Sequence, residues 1–275
     1  MKLRLYDAHN HLQDERLAAH RTEIISALQR EGIVKMVVNG SCEEDWPGVL
    51  ALSRQYPQVI PSFGYHPWYV KERTPAWQEA LLHYLSQVPA AMGEIGLDRW
   101  IPDHDLAQQV EVFTWQWGLA AERNLPVSIH CLKAWGKLFE ILHAGPRPAG
   151  GFLLHSYGGP GEMVAPLAKL GAYFSCPGYF AHARKQHQRE VFKLVPPDRL
   201  LIETDAPDQP LPDERNRFPL RDSVSGKPIN HPANLAAVYQ FVAELLDEPV
   251  EVLAQRVAEN FQRLFGRLCR CPTEL

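Results

Sequence analysis

Short runs of aliphatic and β-branched residues recur along this chain at near-even intervals, each followed by a longer amphipathic segment. The runs are 3–8, 33–38, 59–64, 90–96, 126–130, 151–155, 172–176 and 199–205. Helical patterns lie between them, near 17–31, 43–56, from Thr74-Pro75 onward, and near 103–124, 133–144, 160–170 and 181–195. Gly32 is placed to end the first of these helices, and Thr74-Pro75 reads as a cap with a first-turn proline. Two more helices, near 232–247 and 249–265, close the chain. Eight strand–helix units in 275 residues, about 34 each, predict a parallel (β/α)8 TIM barrel with an extra C-terminal helix, one domain over 1–275. The obvious irregular stretch is 206–229. It carries Pro207, Pro210, Pro212, Pro219 and Pro228, leaves the end of the eighth strand, and reads as a lid over the barrel mouth.

Composition narrows the function. Hydrophobic residues make up 45% of the chain and charged residues 22%, as in soluble globular proteins. A net charge of −4 leaves no overall positive field to attract nucleic acid, so any such binding must rest on local cations. The five cysteines are odd in number and form no Cys-x-x-Cys, so reduced thiols in a cytoplasmic protein are expected. With no apolar signal core and no run of about 18 apolar residues, neither export nor a membrane span is expected. The expected state is a monomer or a small homo-oligomer.

In barrels of this kind the reactive side chains stand at the C-terminal ends of the strands. Here those ends carry His9 and His11, then His66, Glu94, His130, His155 and Asp205. His9 and His11 are two residues apart on an extended backbone and point the same way, so both can reach one cation. Taken alone, the pair reads equally well as surface or capping histidines. Glu94 is different: a carboxylate between Gly93 and Ile95 in an apolar strand needs a cation or a buried partner. The convergence of all these groups on one rim points to metal. The donors are nitrogen and oxygen without sulfur, which suits Zn²⁺, Mn²⁺, Mg²⁺ or Ni²⁺. Their number exceeds the needs of one tetrahedral ion, and two divalent ions sharing a bridging carboxylate account for them better.

These residues resemble the TatD-related metal-dependent hydrolases, a branch of the amidohydrolase-like barrels. The likeness runs from His9-Asn10-His11 to Asn260-Phe261-Gln262-Arg263-Leu264-Phe265. Its signatures are Gly64-Tyr65-His66-Pro67, Gly93-Glu94-Ile95-Gly96-Leu97-Asp98 and Glu203-Thr204-Asp205-Ala206-Pro207. The resemblance implies His9, His11 and Asp205 on one metal, His130 and His155 on the other, and Glu94 between them. It also implies hydrolysis of phosphodiesters, typically trimming of DNA from the 3′ end. Three departures fall on the substrate side. Leu132, followed by Lys133, stands where the family often has Arg. Asn230-His231-Pro232 replaces Asn-Glu-Pro. The preceding loop is enlarged around Arg215, Arg217 and Arg221.

The expected chemistry is attack by metal-activated water, with Asp205 taking the proton and returning it to the leaving group. His66 would hydrogen-bond the scissile group, and Lys133, Arg215 and Arg217 would neutralise a phosphate. The turn Gly158-Gly159-Pro160-Gly161 offers amides that could hold an anion. Three functions compete: a phosphodiesterase acting on nucleic-acid ends, a hydrolase of a small carboxylic ester, lactone or amide, and a non-catalytic metal scaffold. The complete ligand set and the proton acceptor argue against the scaffold.

Overall fold

The computed structural model describes residues 2–269; Cys271 lies outside them. Eight strands form the barrel: β1 (Leu5–Asn10), β2 (Ile33–Asn39), β3 (Val59–Phe63), β4 (Ala91–Asp98), β5 (Val127–Leu132), β6 (Phe152–Leu154), β7 (Ala172–Pro177) and β8 (Leu200–Glu203). They pair in chain order, and every pair is parallel. One helix follows each strand: α1 (Arg21–Glu31), α2 (Trp46–Gln55), α3 (Trp77–Gln87), α4 (Leu106–Arg123), α5 (Trp135–Ala144), α6 (Val164–Lys169), α7 (Gln186–Phe192) and α8 (Leu235–Leu246). The extra helix α9 (Val250–Phe265) packs on the outside of β1 and β8. The strands are buried almost throughout because helices cover one face and the filled lumen covers the other.

The seam between β8 and β1 is closed by a few specific bonds. The Asp205 amide donates to His9 O (3.0 Å), and the His11 amide donates to Ala206 O (2.7 Å). Beneath them the Asp7 carboxylate accepts the Thr204 amide (3.0 Å) and hydroxyl (2.6 Å). These bonds fix the first and last strand ends beside one another, which places His9, His11 and Asp205 together. Asn260 of α9 secures the other end of β8 by donating to Pro197 O and Leu200 O, both at 2.8 Å.

Tyr239 of α8 ties that helix to β1. Its hydroxyl accepts the Tyr6 amide (3.1 Å) and donates to Tyr6 O (3.0 Å). Both backbone groups are buried, so Tyr239→Phe leaves a donor and an acceptor unpaired. The expected cost is about 1–3 kcal/mol. It should appear as a lower denaturant midpoint at unchanged slope; an unmoved midpoint would show that the seam does not depend on this bond.

Several element ends differ from the sequence pattern. Helix α1 does end at Gly32, which is left-handed at φ 83°. Helix α3 starts at Trp77 rather than Thr74, with Ala76 at the N-cap and no side-chain cap, while the Thr74 hydroxyl donates to Glu43 Oε1 (2.6 Å). The segments before α1, α6 and α7 are 3₁₀ turns, so those helices are shorter than their periodicity suggests. The 206–229 stretch holds a 3₁₀ turn at Asp213–Arg215 and a hairpin, β9 (Leu220–Arg221) with β10 (Pro228–Ile229). Its middle part is pinned to the start of α8, where Asn234 Oδ1 accepts the Arg217 and Phe218 amides (3.0 Å each). Cys42, Cys131, Cys176 and Cys269 are free thiols.

Candidate metal centre

Glu94 reaches the mouth because β4 carries glycine on either side of it. A Cβ on Gly96 would lie 2.0 Å from His130 O, so only glycine lets β4 lie this close to β5. A Cβ on Gly93 would meet Ser128 Cβ and Ser62 Oγ, each at 2.9 Å, in the filled lumen. The carboxylate is thereby held among five imidazoles. Glu94 Oε2 lies 3.2 Å from His9 Nε2 and 3.1 Å from His11 Nε2. Glu94 Oε1 lies 2.8 Å from His155 Nε2, 3.0 Å from His130 Nδ1 and 3.3 Å from His66 Nε2. Asp205 joins the first set, with Oδ1 3.6 Å from both His9 and His11 Nε2. Donor atoms of His9, His11 and Asp205 all lie within 4.8 Å of one another, as do those of His66, Glu94 and His130.

Burial works against ionisation of Glu94, but His155, His66 and His9 outweigh it and hold its carboxyl well below the ordinary value. Burial lowers His9 and His66 to about 4, which leaves their rings neutral at pH 7, the form that can ligate or donate.

The rear nitrogen of each ligand histidine is aimed at a partner, and this sets which nitrogen faces the centre. His11 Nδ1 donates to Asn39 O (2.8 Å). His9 Nδ1 lies 2.7 Å from Ser128 Oγ. His130 Nε2 donates to Asp98 Oδ2 (2.9 Å), and His155 Nδ1 faces Glu203 Oε1 at 3.6 Å. The nitrogens turned inward are Nε2 of His9, His11 and His155 and Nδ1 of His130, with His9 Nδ1 held between Ser128 Oγ and the Asn39 side-chain amide (3.1 Å). His66 differs. Its Nδ1 accepts the Trp68 amide (3.2 Å), so its inward Nε2 carries the proton and is a donor. A buried set of inward ring nitrogens around one carboxylate fits divalent cations with nitrogen and oxygen ligands.

Sequence reasoning assigned no role to these orienting groups. Asp98 and Glu203 lie on the signature strands, four residues after Glu94 and two before Asp205, so they share the face parity of the ligands. Glu203 also accepts the Ser156 amide (2.7 Å) and hydroxyl (2.5 Å) and bonds the Ser175 hydroxyl. Gln209 carries no such signal, because it lies in the irregular loop. Its amide donates to Asp205 Oδ2 (2.5 Å) and Ser156 Oγ (2.7 Å).

The expected phosphate-binding cations divide. Lys133 follows β5 directly, exposed, with a left-handed backbone (φ 54°). Arg215 and Arg217 are committed elsewhere. Arg215 pairs with Glu244 of α8 (2.8 Å) and lies over Phe241, while Arg217 pairs with Glu31 at the end of α1 (3.4 Å). The loop that carries the two arginines is fixed at the N-terminal cap of α8 through Asn234. The turn after β6 is also filled: a Cβ at Gly159 would lie 2.7 Å from the Tyr157 ring.

Fold and site together define a metal-dependent hydrolase on a (β/α)8 barrel. The chain belongs to the TatD family: the model of TatD related DNases matches residues 6–266. It is 29% identical to the uncharacterized metal-dependent hydrolase YjjV of Escherichia coli over 269 residues, covering 97% of this chain and 99% of that one. It is 33% identical to the 3′-5′ ssDNA/RNA exonuclease TatD of Erwinia amylovora over 267 residues, covering 95% and 100%. The crystal structure of the Escherichia coli YjjV superposes with a TM-score of 0.86, covering 97% of this chain and 99% of that one. Among the described residues, no helix is long and apolar enough to cross a membrane.

Proposed function

We propose that this chain is a phosphodiesterase that trims single-stranded nucleic acid or short oligonucleotides from the 3′ end, using two divalent ions. The observation that carries the proposal is the division of Glu94, one oxygen toward His9 and His11 and the other toward His130 and His155. His9, His11 and Asp205 would hold one ion and His130 and His155 the other, with Glu94 shared. When bound, such ions supply Lewis acidity and bring the pKa of water toward neutrality.

The chain's own residues do the rest. Asp205 stands beside the first histidine pair as the proton acceptor, with Gln209 fixing its second oxygen. His66 presents Nε2–H to the scissile group. Lys133, exposed at the rim, is placed to meet a phosphate. A net charge of −4 and few cations at the mouth favour a strand end over a long duplex, whose binding needs many displaced counterions. The exonuclease names of the TatD relatives support the same substrate class.

Metal analysis at saturation should approach two ions per chain. Chelation should abolish activity, and Zn²⁺, Mn²⁺, Mg²⁺ or Ni²⁺ should restore it to different degrees. The substrate test digests 3′-labelled and 5′-labelled single strands side by side. Early release of only the 3′ label is expected. No release from either strand, alongside rapid turnover of a small carboxylic ester, would replace this function with esterase activity.

A further inference from the structure

Few large apolar side chains are exposed among the described residues, and they are unevenly placed. Trp68 (45% exposed), Trp100 (60%) and Leu132 (37%) all lie at or just past the C-terminal ends of β3, β4 and β5, while Leu194, Val224 and Val252 lie on other elements. The first three therefore share one quadrant of the mouth. The Arg99 amide donates to Leu132 O (2.9 Å), which brings the ends of β4 and β5 together. Arg99 and Lys133 are exposed in the same quadrant.

Trp68 through its indole and Trp100 through its backbone amide bond one carboxylate, which also bonds a histidine of the centre. Asp98 Oδ2 accepts the Trp68 indole N–H (2.7 Å) and also His130 Nε2–H (2.9 Å). Asp98 Oδ1 accepts the Trp100 amide (2.6 Å). Burial opposes ionisation of Asp98, but the bonds from His130 and Trp68 win and lower its pKa to about 2. One edge of the Trp68 ring packs toward His66 and His130, at centroid distances of 5.1 and 6.3 Å. Roughly half of that ring still faces water. A fixed indole beside the reacting centre, with a second indole and two cations at the neighbouring ends of β4 and β5, matches the chemistry of single-stranded nucleic acid: bases to stack and phosphates to neutralise.

We propose that Trp68 and Trp100 form a stacking platform for the nucleobases that flank the scissile phosphodiester, held in register with the centre by Asp98. The platform rests on the phosphodiesterase function proposed above and extends it by specifying what binds beside the scissile bond. A small aliphatic ester would gain nothing from it. Trp100 is the cleaner residue to test, because its bond to Asp98 comes from the backbone and survives substitution.

The experiment measures metal-loaded wild type, Trp100→Ala, Trp100→Phe and Trp68→Leu on a six-nucleotide single strand. A second strand is identical except that its last two residues are abasic. On the base-bearing strand, Trp100→Ala should raise KM about tenfold, well beyond any change in kcat, and Trp100→Phe should recover most of the loss. Trp68→Leu should raise KM similarly and also lower kcat, because Asp98 loses a donor it shares with His130. Wild type should bind the abasic strand about tenfold more weakly, with no further loss in Trp100→Ala. Equal KM for wild type and Trp100→Ala on the base-bearing strand, with normal cleavage, would overturn the platform and leave the phosphodiesterase function standing. An enzyme inert on both strands but active on a carboxylic ester would overturn both.

Discussion

Glu94→Gln should empty both metal positions and lower kcat by on the order of 10³-fold. The amide is isosteric, so the lumen around Gly93 and Gly96 stays filled. It carries no charge, however, and its NH₂ end cannot ligate. In the native site both carboxylate oxygens are used, Oε2 by His9 and His11 and Oε1 by His130 and His155. A substitution at any single histidine touches only one of these sets, so Glu94 is the position where one change affects both. The magnitude follows from the several kcal/mol that a bound cation contributes to the transition state, at 1.36 kcal/mol per factor of ten. Metal content measured alongside kcat decides the matter. Two ions retained at saturation in Glu94→Gln would show that the carboxylate does not bridge.

The barrel and the positions of its reactive strand ends were legible because both depend on local patterns. Eight apolar runs with helical segments between them have few ways to bury themselves other than as a parallel barrel. Once the strands are parallel, their last residues share a rim. His9 and His11 announce themselves by spacing, and Glu94 by being a charge inside an apolar strand. The supporting groups are harder to see. Ser128 and Asn39 meet His9 through strand register, which no local pattern encodes. Asp98 meets Trp68 across 30 residues and a turn. The ion pairs of Arg215 with Glu244 and Arg217 with Glu31 were hidden for the same reason. An arginine in an irregular segment goes wherever its loop is pinned, and here Asn234 at the α8 cap holds the backbone at Arg217 and Phe218.

Asp205→Asn separates holding a metal from moving a proton. The substitution keeps an oxygen near His9 and His11 when its NH₂ takes the place of Oδ2. What disappears is the carboxylate's capacity to accept a proton from water and return it to the leaving oxygen. Positioned acid–base catalysis of this kind contributes about 10²–10⁴-fold, and kcat should fall by that amount while the fold is retained. Gln209 complicates the choice of rotamer in an informative way. Its amide N–H now donates to Asp205 Oδ2, so the new NH₂ group would face a donor if it took that place. The oxygen stays toward the centre only if the Gln209 amide turns over to accept the new NH₂; otherwise the NH₂ faces the centre and the ligand is lost, which metal analysis detects. Double substitution with Gln209→Glu restores a donor–acceptor match without restoring the base. Full metal occupancy with kcat still depressed in both the single and double variants would confirm the proton role. Normal turnover of Asp205→Asn under saturating metal would reduce Asp205 to a ligand and require another group to carry the proton.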